Sequence, residues 1–341
     1  FPVDVFRKLG ALGVLGAVFP EEYGGAGFNY VDYSIIIEEL ARVDPSIALS
    51  TAAHISLCTS HIYTAGSEEQ KQRYLPKLAS GEWIGSWALT EPESGSDAGG
   101  THTKAVLENG EWVINGLKTF TTNAHAADVF VVMAMTDREK ASHGISAIIV
   151  EKGTPGFTVG RQLDKTGWLC SDTAELVLDN VRLGPEALLG EQDKGFYALM
   201  KNLQTERVAL AAMAIGHCQR AIELTLDYVR QRQAFGQSLW QMQHIRQRIA
   251  MLDAKTRAAR QFMYHCAWSV TQGHDIVQEV SMLKALSGEL VNEVVGGCQQ
   301  FWGGMGYMRE APIERLWRDA RVLAIGGGAT EVMLEEVAKR Y

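Results

Sequence analysis

The sequence predicts an α+β protein with an N-terminal helical domain, a central β-barrel-like domain and a C-terminal four-helix bundle. The hydrophobic period is helical up to about Gly85, strand-like from Ser86 to about Leu189, and helical again after Gly195. At 341 residues, 46% of them hydrophobic, the chain is long enough for two or three domains with their own cores. We therefore expect domains at residues 1–85, 86–193 and 194–341.

Turn residues delimit the elements of the first two domains. Helices are predicted for SIIIEELARVDPSIAL and EEQKQRYLPKLASG, which keep a helical period between such residues. In the second domain, KAVLENGEWVING places Asn109-Gly110 between two alternating runs, which predicts a β-hairpin. The strands DVFVVMAM, HGISAIIVEKG and TAELVLDNVRL follow it.

The last domain is predicted from three amphipathic stretches. Apolar residues keep one helical face from Val208 to Val229, from Ile245 to Cys266 and from Val280 to Val294. Helices of this length with one apolar face each are expected to pack against one another as a bundle.

Composition limits the classes of partner. The net charge of -8 disfavours nucleic acid or an anionic membrane as the main partner. The longest apolar run, Leu9 to Phe19, is too short to span a bilayer, so no membrane insertion is expected. The five cysteines show no metal-ligand spacing and are expected to be reduced, and no metal is predicted.

The chain begins at Phe1 without an initiator methionine or a signal-like segment. We expect it to be a fragment that lacks its native N-terminus. The expected compartment is the cytoplasm for a bacterial protein and the mitochondrial matrix for a eukaryotic one.

The most informative motif is WALTEPESGSDAGG, from Trp87 to Gly100. Its polar residues are broken by Pro92 and Gly95 and cannot pack as a core, so they are available to bind a ligand. No Walker A motif and no GxGxxG occurs. The glycine groups at 303–306 and 326–328 are, on their own, typical of turns and helix ends.

Together with PEEYGGAG, YLPKLASGEW, KTFTTN, RQAFG and QFWGGMGY, this motif resembles the acyl-CoA dehydrogenase family nearly from end to end. The resemblance implies that family's fold and FAD-dependent α,β-dehydrogenation of an acyl-CoA to a trans-2-enoyl-CoA. It also implies electron transfer to an electron-transfer flavoprotein and a homotetramer in which FAD contacts cross subunits.

The resemblance carries cofactor-binding roles onto particular residues. In the β-domain these are Trp87, Leu89, Thr90, Gly95, Ser96, Phe120 and Thr122. In the C-terminal domain they are Arg232, Phe235, Gln300, Gly303, Gly304, Thr330 and Glu331. Phe120 stands where many members have Trp, and either ring can cover an apolar flavin face. A guanidinium suits the FAD pyrophosphate. Without the resemblance, Arg232 is better explained as a surface residue at a helix end.

The catalytic base is the sharpest question that the resemblance raises. Most members have Glu where this chain has Gly327, within IGGGATE. The long-chain and isovaleryl-type branch has a Glu-Arg pair on the helix that opens the bundle, and this chain has Glu206 and Arg207 there. Glu206 is therefore the predicted base and Glu331 the competing carboxylate. Read alone, Glu206 is as well explained by the helix macrodipole.

Substrate binding is assigned by the same resemblance to Ser96, Gln204, Arg207, Gly327 and Gly328. The backbone N–H near Gly327 is expected to stabilise the enolate that develops on the thioester oxygen. Many members have Asp where this chain has Gln204, whose amide can make a similar hydrogen bond. We expect a medium-to-long or branched acyl chain. An acyl-CoA oxidase and a catalytically silent scaffold subunit remain alternatives.

Overall fold

The computed structural model describes residues 1–341, and their contacts form two compact units. Unit 1 comprises residues 1–29, 50–164 and 170–206, and unit 2 comprises residues 30–49, 165–169 and 207–341. The predicted order of elements along the chain, with helices first, then strands, then helices again, is confirmed. The three domain boundaries stay a prediction.

The N-terminal region is helical, as its period predicts. Its helices are α1 (Val3–Ala11), α2 (Tyr30–Val43), α3 (Pro45–Ala52), α4 (Ser60–Ala65) and α5 (Glu68–Ser80), with a π-helical segment, Ala53–Thr59, between α3 and α4. Helix α5 begins at a capping box, in which Ser67 and Gln70 each bond the other's backbone N–H. It ends at Gly81, whose φ of 74° is left-handed and typical of a helix C-terminus.

Unit 1 contains an eight-stranded sheet. Its strands are β1 (Gly85–Ala88), β2 (Lys104–Glu108), β3 (Glu111–Thr122), β4 (Val129–Met135), β5 (Ile145–Glu151), β6 (Phe157–Gln162), β7 (Thr173–Leu183) and β8 (Leu188–Leu189). The strand order is β6-β7-β3-β2-β4-β5-β8, and β1 pairs with β4 in parallel. The predicted hairpin joins β2 to β3, and Asn109 and Gly110 both have the positive φ that a tight hairpin turn needs.

The core of unit 1 lies where the sheet meets helices. Every residue of β4 is buried, as expected for a continuous apolar strand between other layers. Its side chains pack with Leu75 and Leu78 of α5 and with Ile62 of α4. This packing fixes β1, which precedes the motif at Trp87–Gly100.

Unit 2 is built mainly from the C-terminal helices. These elements are α6 (Gly195–Gln231), β9 (Gln233–Ala234), β10 (Gln237–Ser238), α7 (Gln243–Thr271), α8 (Val277–Phe301), α9 (Pro312–Ala320) and α10 (Thr330–Ala338). Helix α6 contributes its residues up to Glu206 to unit 1 and the rest to unit 2. No helix is both long and apolar enough to cross a membrane.

Helix α2 joins unit 2 although it lies early in the chain. Its buried Glu38 accepts hydrogen bonds from Arg260 Nε at 2.6 Å and from Tyr264 Oη at 2.7 Å, both on α7. A buried carboxylate that is paired and hydrogen-bonded in this way is a specific contact between two helices. The hydrophobic period of α2 predicted that it is a helix, but it did not predict that the helix packs against α7.

Candidate active site

A buried ion pair shapes the loop that follows β1. Lys118 Nζ, on β3, donates to Glu91 Oε1 at 2.7 Å, to the Leu89 carbonyl at 2.9 Å and to Thr101 Oγ1 at 3.1 Å. The carboxylate of Glu91 also accepts the backbone N–H groups of residues 102 and 103. Glu91 and Lys118 therefore tie β1, its loop and β3 together. The expectation that the polar residues of the motif cannot pack inside the protein is wrong for Glu91, which is buried because its charge is paired.

Both members of this pair are ionised near neutral pH. Burial lowers the pKa of Lys118 to about 8, and the Glu91 charge limits that fall. Burial alone would raise the pKa of Glu91, but Lys118 and the hydrogen bonds to the carboxylate hold it at about 2. The pair is a fixed dipole beneath the loop.

The outer face of the loop is open and carries hydrogen-bonding groups. Gly95 and Ser96 are exposed, and Thr90 and Leu89 are half-buried. A side chain added at Gly95 would meet no atom within 4 Å, so the backbone there is accessible to a ligand. The backbone at Thr90 is fixed to β3, because its carbonyl accepts a hydrogen bond from the backbone N–H of residue 119 at 2.8 Å.

An aromatic ring stands beside this face. The register of β3 against β7 shifts between Lys118 and Thr121, and within this irregularity Phe120 has a φ of 54°. Its side chain is 68% exposed, which leaves an apolar ring without protein cover. Thr122, two residues on, is half-buried. An apolar platform beside hydroxyl and backbone donors fits the ring of a flavin.

Trp87, near the end of β1, is anchored in the core of unit 1 beneath the loop. Its indole Nε1 donates to His61 Nδ1 at 3.2 Å, and the ring packs against the core cluster of unit 1. His61 is fully buried, and burial lowers the pKa of its imidazole to about 4. The indole is thus held by a neutral histidine.

Glu206 is buried in unit 1, where it is 4% exposed. Its Oε2 forms a hydrogen bond with Ser56 Oγ, on the π-helical segment. One turn earlier on α6, Asn202 Nδ2 donates to the Leu57 carbonyl at 3.0 Å. Two successive turns of α6 are therefore tied to the segment Ala53–Thr59, and the carboxylate has a defined place. Gln204 lies between them and is half-buried.

Arg207 is the next residue on the helix and is also buried. Its Nε is buried without a hydrogen-bond partner, and burial lowers the pKa of the guanidinium. A buried donor on a cation is costly unless a ligand satisfies it. This observation suits an anionic or carbonyl-bearing ligand.

The glycine loop before α10 is held by one lysine. Lys284 Nζ, buried on α8, donates to the carbonyls of Leu323 and Gly328, both at 2.8 Å. Gly327 has a φ of 66°, and a Cβ there would lie 2.1 Å from Leu210 Cδ1. Any side chain at 327, a carboxylate included, would be strained and would displace Leu210.

The remaining predicted cofactor residues of unit 2 lie on its surface. Phe235 follows α6 with a φ of 54° and is 94% exposed. Arg232 is exposed and forms no ion pair, so its guanidinium is available to phosphate. Glu331 is exposed in the first turn of α10, and Thr330 Oγ1 donates to Glu289 Oε1 at 2.9 Å. Exposed residues further include Gln300, Gly303 and Gly304, whereas Gly328 is half-buried.

A pocket that the sequence did not indicate lies in unit 1. It has a volume of about 860 Å³ and surrounds the beginning of α6 at Gly195. Lys140, His143 and Lys194 line it. Glu191 and Asp193 line it as well, and Lys140 pairs with Asp137 and Asp193, so the lining carries both charges and selects no ligand.

The sequence matches three consecutive family domain models. They are described as the N-terminal, middle and C-terminal domains of acyl-CoA dehydrogenase, at residues 1–82, 86–181 and 193–341. The chain belongs to the acyl-CoA dehydrogenase family, whose members are FAD-dependent oxidoreductases that act on CH–CH bonds. The exposed ring of Phe120 and the open backbone at Gly95 are chemically suited to that cofactor.

Relatives along the whole chain agree with this family. An acyl-CoA dehydrogenase of Bacillus subtilis (strain 168) is 40% identical over 99% of this chain and 89% of its own length. A short-chain-specific acyl-CoA dehydrogenase of Megasphaera elsdenii is 38% identical over 97% of this chain and 88% of its own. The mitochondrial isovaleryl-CoA dehydrogenase of Pongo abelii is 38% identical over 96% of this chain and 78% of its own.

Solved structures match equally well. The butyryl-CoA dehydrogenase of Megasphaera elsdenii superposes with a TM-score of 0.97 at 37% identity, over 99% of this chain and 89% of the other. A chain from a study of the electron transferring flavoprotein of Acidaminococcus fermentans gives 0.97 at 38% identity over the same shares. The family and its fold are confirmed. The isovaleryl-type and short-chain relatives are equally similar, so they do not select the branch.

Proposed function

We propose that the chain dehydrogenates an acyl-CoA between its α and β carbons, with Glu206 as the catalytic base. The observation that carries the assignment is the buried, hydrogen-bonded Glu206 in a chain where Gly327 replaces the usual carboxylate. The left-handed backbone at Gly327 disfavours any side chain there. Glu331, the competing carboxylate, is exposed.

In the proposed reaction Glu206 takes the α-proton of the thioester. Because the buried carboxylate is already held in place, little reorganisation energy is needed when it accepts that proton. The backbone N–H near Gly327 donates to the thioester oxygen as negative charge develops on it, with Lys284 holding the loop. Bound FAD supplies the acceptor for the β-hydrogen, which leaves as hydride, and the product is the trans-2-enoyl-CoA.

The FAD site is proposed to combine two sets of residues. The first set, which would hold the flavin, comprises Trp87, Leu89, Thr90, Gly95, Ser96, Phe120 and Thr122. The second set would bind the pyrophosphate and adenosine of a neighbouring subunit's FAD and comprises Arg232, Phe235, Gln300, Gly303, Gly304, Thr330 and Glu331. The exposure of Phe235 supports this role, since a large apolar side chain gains most from cover by a partner. A homotetramer is proposed on this basis.

The acyl-CoA is proposed to be of medium-to-long or branched chain, with Ser96, Gln204, Arg207, Gly327 and Gly328 as its contacts. The position of Glu206 on the helix, which resembles the long-chain and isovaleryl-type branch, supports this choice. Arg207 supports an anionic or carbonyl-bearing ligand through its buried, unpartnered Nε. An electron-transfer flavoprotein is the proposed electron acceptor, supported by the likeness to the Acidaminococcus chain.

Anaerobic titration of the flavin-loaded protein with acyl-CoAs of graded length tests the reaction and the substrate class together. We expect bleaching of the flavin absorbance by saturated acyl-CoA, fastest for medium-to-long or isovaleryl chains. Fastest bleaching by butyryl-CoA would overturn the chain-length proposal alone. Bound flavin that no acyl-CoA bleaches would favour the scaffold alternative, and rapid oxygen consumption after bleaching would favour the oxidase.

A further inference from the structure

We propose that Ser86 and Asn123 are positioning residues for the flavin site, because together they hold β1 at a fixed spacing from the end of β3. The two side chains and the two backbone carbonyls that they bond, those of Thr122 and Gly85, are called the β1–β3 link. The inference rests on the proposed function, since it concerns how the chain prepares the site assigned to FAD. Neither Ser86 nor Asn123 belongs to the set proposed to contact the cofactor.

The β1–β3 link is reciprocal. Ser86 Oγ, on β1, donates to the carbonyl of Thr122, the last residue of β3, at 2.7 Å. Asn123 Nδ2, one residue beyond β3, donates to the carbonyl of Gly85, the first residue of β1, at 3.3 Å. Each segment therefore supplies one donor side chain and one acceptor carbonyl to the other.

These two bonds join strands that share no backbone ladder. Strand β1 pairs with β4, and β3 pairs with β2 and β7, but β1 and β3 do not pair with each other. Beyond the end of β1, the Leu89 carbonyl accepts a hydrogen bond from Lys118 Nζ at 2.9 Å. The Thr90 carbonyl accepts the backbone N–H of residue 119 at 2.8 Å. The β1–β3 link and these contacts therefore hold the two segments together at opposite ends.

Asn123 is suited to its place by both its backbone and its amide. Its φ of 65° is left-handed, a conformation that asparagine adopts more readily than most residues. The amide has two N–H donors, and Nδ2 also donates to the carbonyl of Ser50, on α3, at 3.0 Å. Both neighbours of Nδ2 are carbonyl oxygens, so a donor is required there. The second bond anchors the β1–β3 link to α3.

Solvent does not readily replace the bonds of the β1–β3 link. Ser86 and Asn123 are both 0% exposed. A carbonyl that loses a buried donor is left without a partner unless the backbone moves to find another. Loss of these donors is therefore expected to change the spacing of the two segments.

The consequence for the proposed site is preorganisation. Leu89 and Thr90 lie on one segment, Phe120 and Thr122 lie on the other, and all four are proposed flavin contacts. A ligand that contacts both segments binds only when their spacing is correct, so its apparent affinity falls with the fraction of molecules in that arrangement. Either bond of the β1–β3 link limits how far the segments separate, whereas loss of both releases this end.

Equilibrium dialysis of the flavin-loaded protein at graded free FAD tests the proposal with Ser86→Ala, Asn123→Gly and the double variant. We expect the FAD Kd to rise about 3- to 10-fold in each single variant, the range expected for a hydrogen bond between neutral groups. In the double variant it should rise by more than the product of the two single effects, because neither bond remains. Glycine at position 123 keeps the left-handed backbone accessible.

Two further readouts separate positioning from a general structural role. At saturating FAD, the rate of flavin bleaching by acyl-CoA should return to within about twofold of wild type, because bound FAD restores the spacing. Without FAD, amide hydrogen exchange should be faster at residues 85–90 and 119–123 of the variants than in the rest of the sheet, and FAD should slow it. If the double variant does not fold, the exchange of the single variants decides. Equally fast exchange throughout the sheet would overturn the proposal.

Ser281→Ala is the matched control. Ser281 is a serine with 0% exposure whose hydroxyl donates to the Val277 carbonyl at 2.6 Å, as Ser86 donates to Thr122. Its bond lies within α8 and joins no separate segments. The FAD Kd of Ser281→Ala should therefore equal that of wild type.

Phe120→Ala, measured beside these variants, separates the two proposals. A raised Kd in Phe120→Ala with a wild-type Kd in the double variant would overturn the β1–β3 link and leave the flavin site in place. A double-variant effect no larger than the product of the single effects would also overturn it, because the two bonds would then act independently. A wild-type Kd in Phe120→Ala would remove the proposed flavin site itself.

Discussion

At the scale of single residues, the side chains that hold the candidate site are charged groups with buried partners. Lys118 and Glu91 pair beneath the loop that follows β1, and both side chains are buried. Removing one member of a buried pair leaves the other charge without compensation, which costs far more than a surface pair is worth. The sequence motif contains Glu91, but its partner lies 27 residues away and the motif does not identify it.

Lys118→Met should therefore destabilise the β-domain and loosen its loop. We expect a loss of about 3–5 kcal/mol in the free energy of unfolding. FAD affinity should fall as well, because the Leu89 carbonyl and the Glu91 carboxylate lose the ammonium that holds them. Urea denaturation and flavin fluorescence titration measure the two effects. Lys104→Met is the control, since Lys104 is exposed on β2 of the same sheet. Equal stability of the two variants would contradict the role of the pair.

At the scale of elements, Lys284 joins α8 to the glycine loop before α10. Two carbonyls on either side of Gly327 accept from one buried ammonium. Each hydrogen bond to a charged group contributes about 1.5–3 kcal/mol. The loop is thus held by a neighbouring helix, while its glycines allow the left-handed backbone that it adopts.

Lys284→Met should release this loop. We expect faster amide hydrogen exchange at residues 325–329 and a lower rate of flavin bleaching, with acyl-CoA binding less affected. Lys255→Met is the control, because Lys255 pairs with Glu293 on the exposed side of the helices. Unchanged exchange in the loop of Lys284→Met would show that the backbone holds its shape without the lysine.

Local pattern predicted the elements better than it predicted their contacts. The hairpin at Asn109-Gly110 follows from two residues that adopt a positive φ readily, and the structure confirms it. The bond between Ser56 and Glu206 joins positions 150 residues apart, so no local pattern encodes it. The partnership of α2 with α7 and the irregular register at Phe120 depend on tertiary packing in the same way. The family resemblance identified Glu206 as the candidate base, and the structure showed its burial and its hydrogen bond to Ser56.

At the scale of the whole molecule, buried histidines set the response to acid. Burial lowers the pKa of His54, His61 and His217 to about 4, against an ordinary value of 6.5. Between pH 6.5 and about pH 4, these three histidines are protonated in the unfolded chain but stay neutral in the folded chain. Their stabilisation is complete above pH 6.5 and is lost as the pH falls through this window.

Stability should therefore decrease between pH 6.5 and 4, by about 1.4 kcal/mol per pH unit for each histidine. Burial raises the pKa of Asp319 to about 6, so this group binds its proton in the folded state and offsets about one histidine below pH 6. Urea denaturation at several pH values measures the net slope. Replacing the exposed His244 with Gln should leave it unchanged. Constant or increasing stability toward pH 4 would contradict the account.

The assignment of the base is tested most directly by single-turnover reduction of the bound flavin in wild type, Glu206→Gln and Glu331→Gln. We expect Glu206→Gln to bind FAD and acyl-CoA but to bleach at least about 100-fold more slowly, the contribution expected of a general base. Once it is loaded with FAD, Glu331→Gln should bleach at close to the wild-type rate, because a residue that contacts only the cofactor takes no part in removing the α-proton. Normal bleaching by Glu206→Gln together with its loss in Glu331→Gln would place the base on α10 and contradict the central claim.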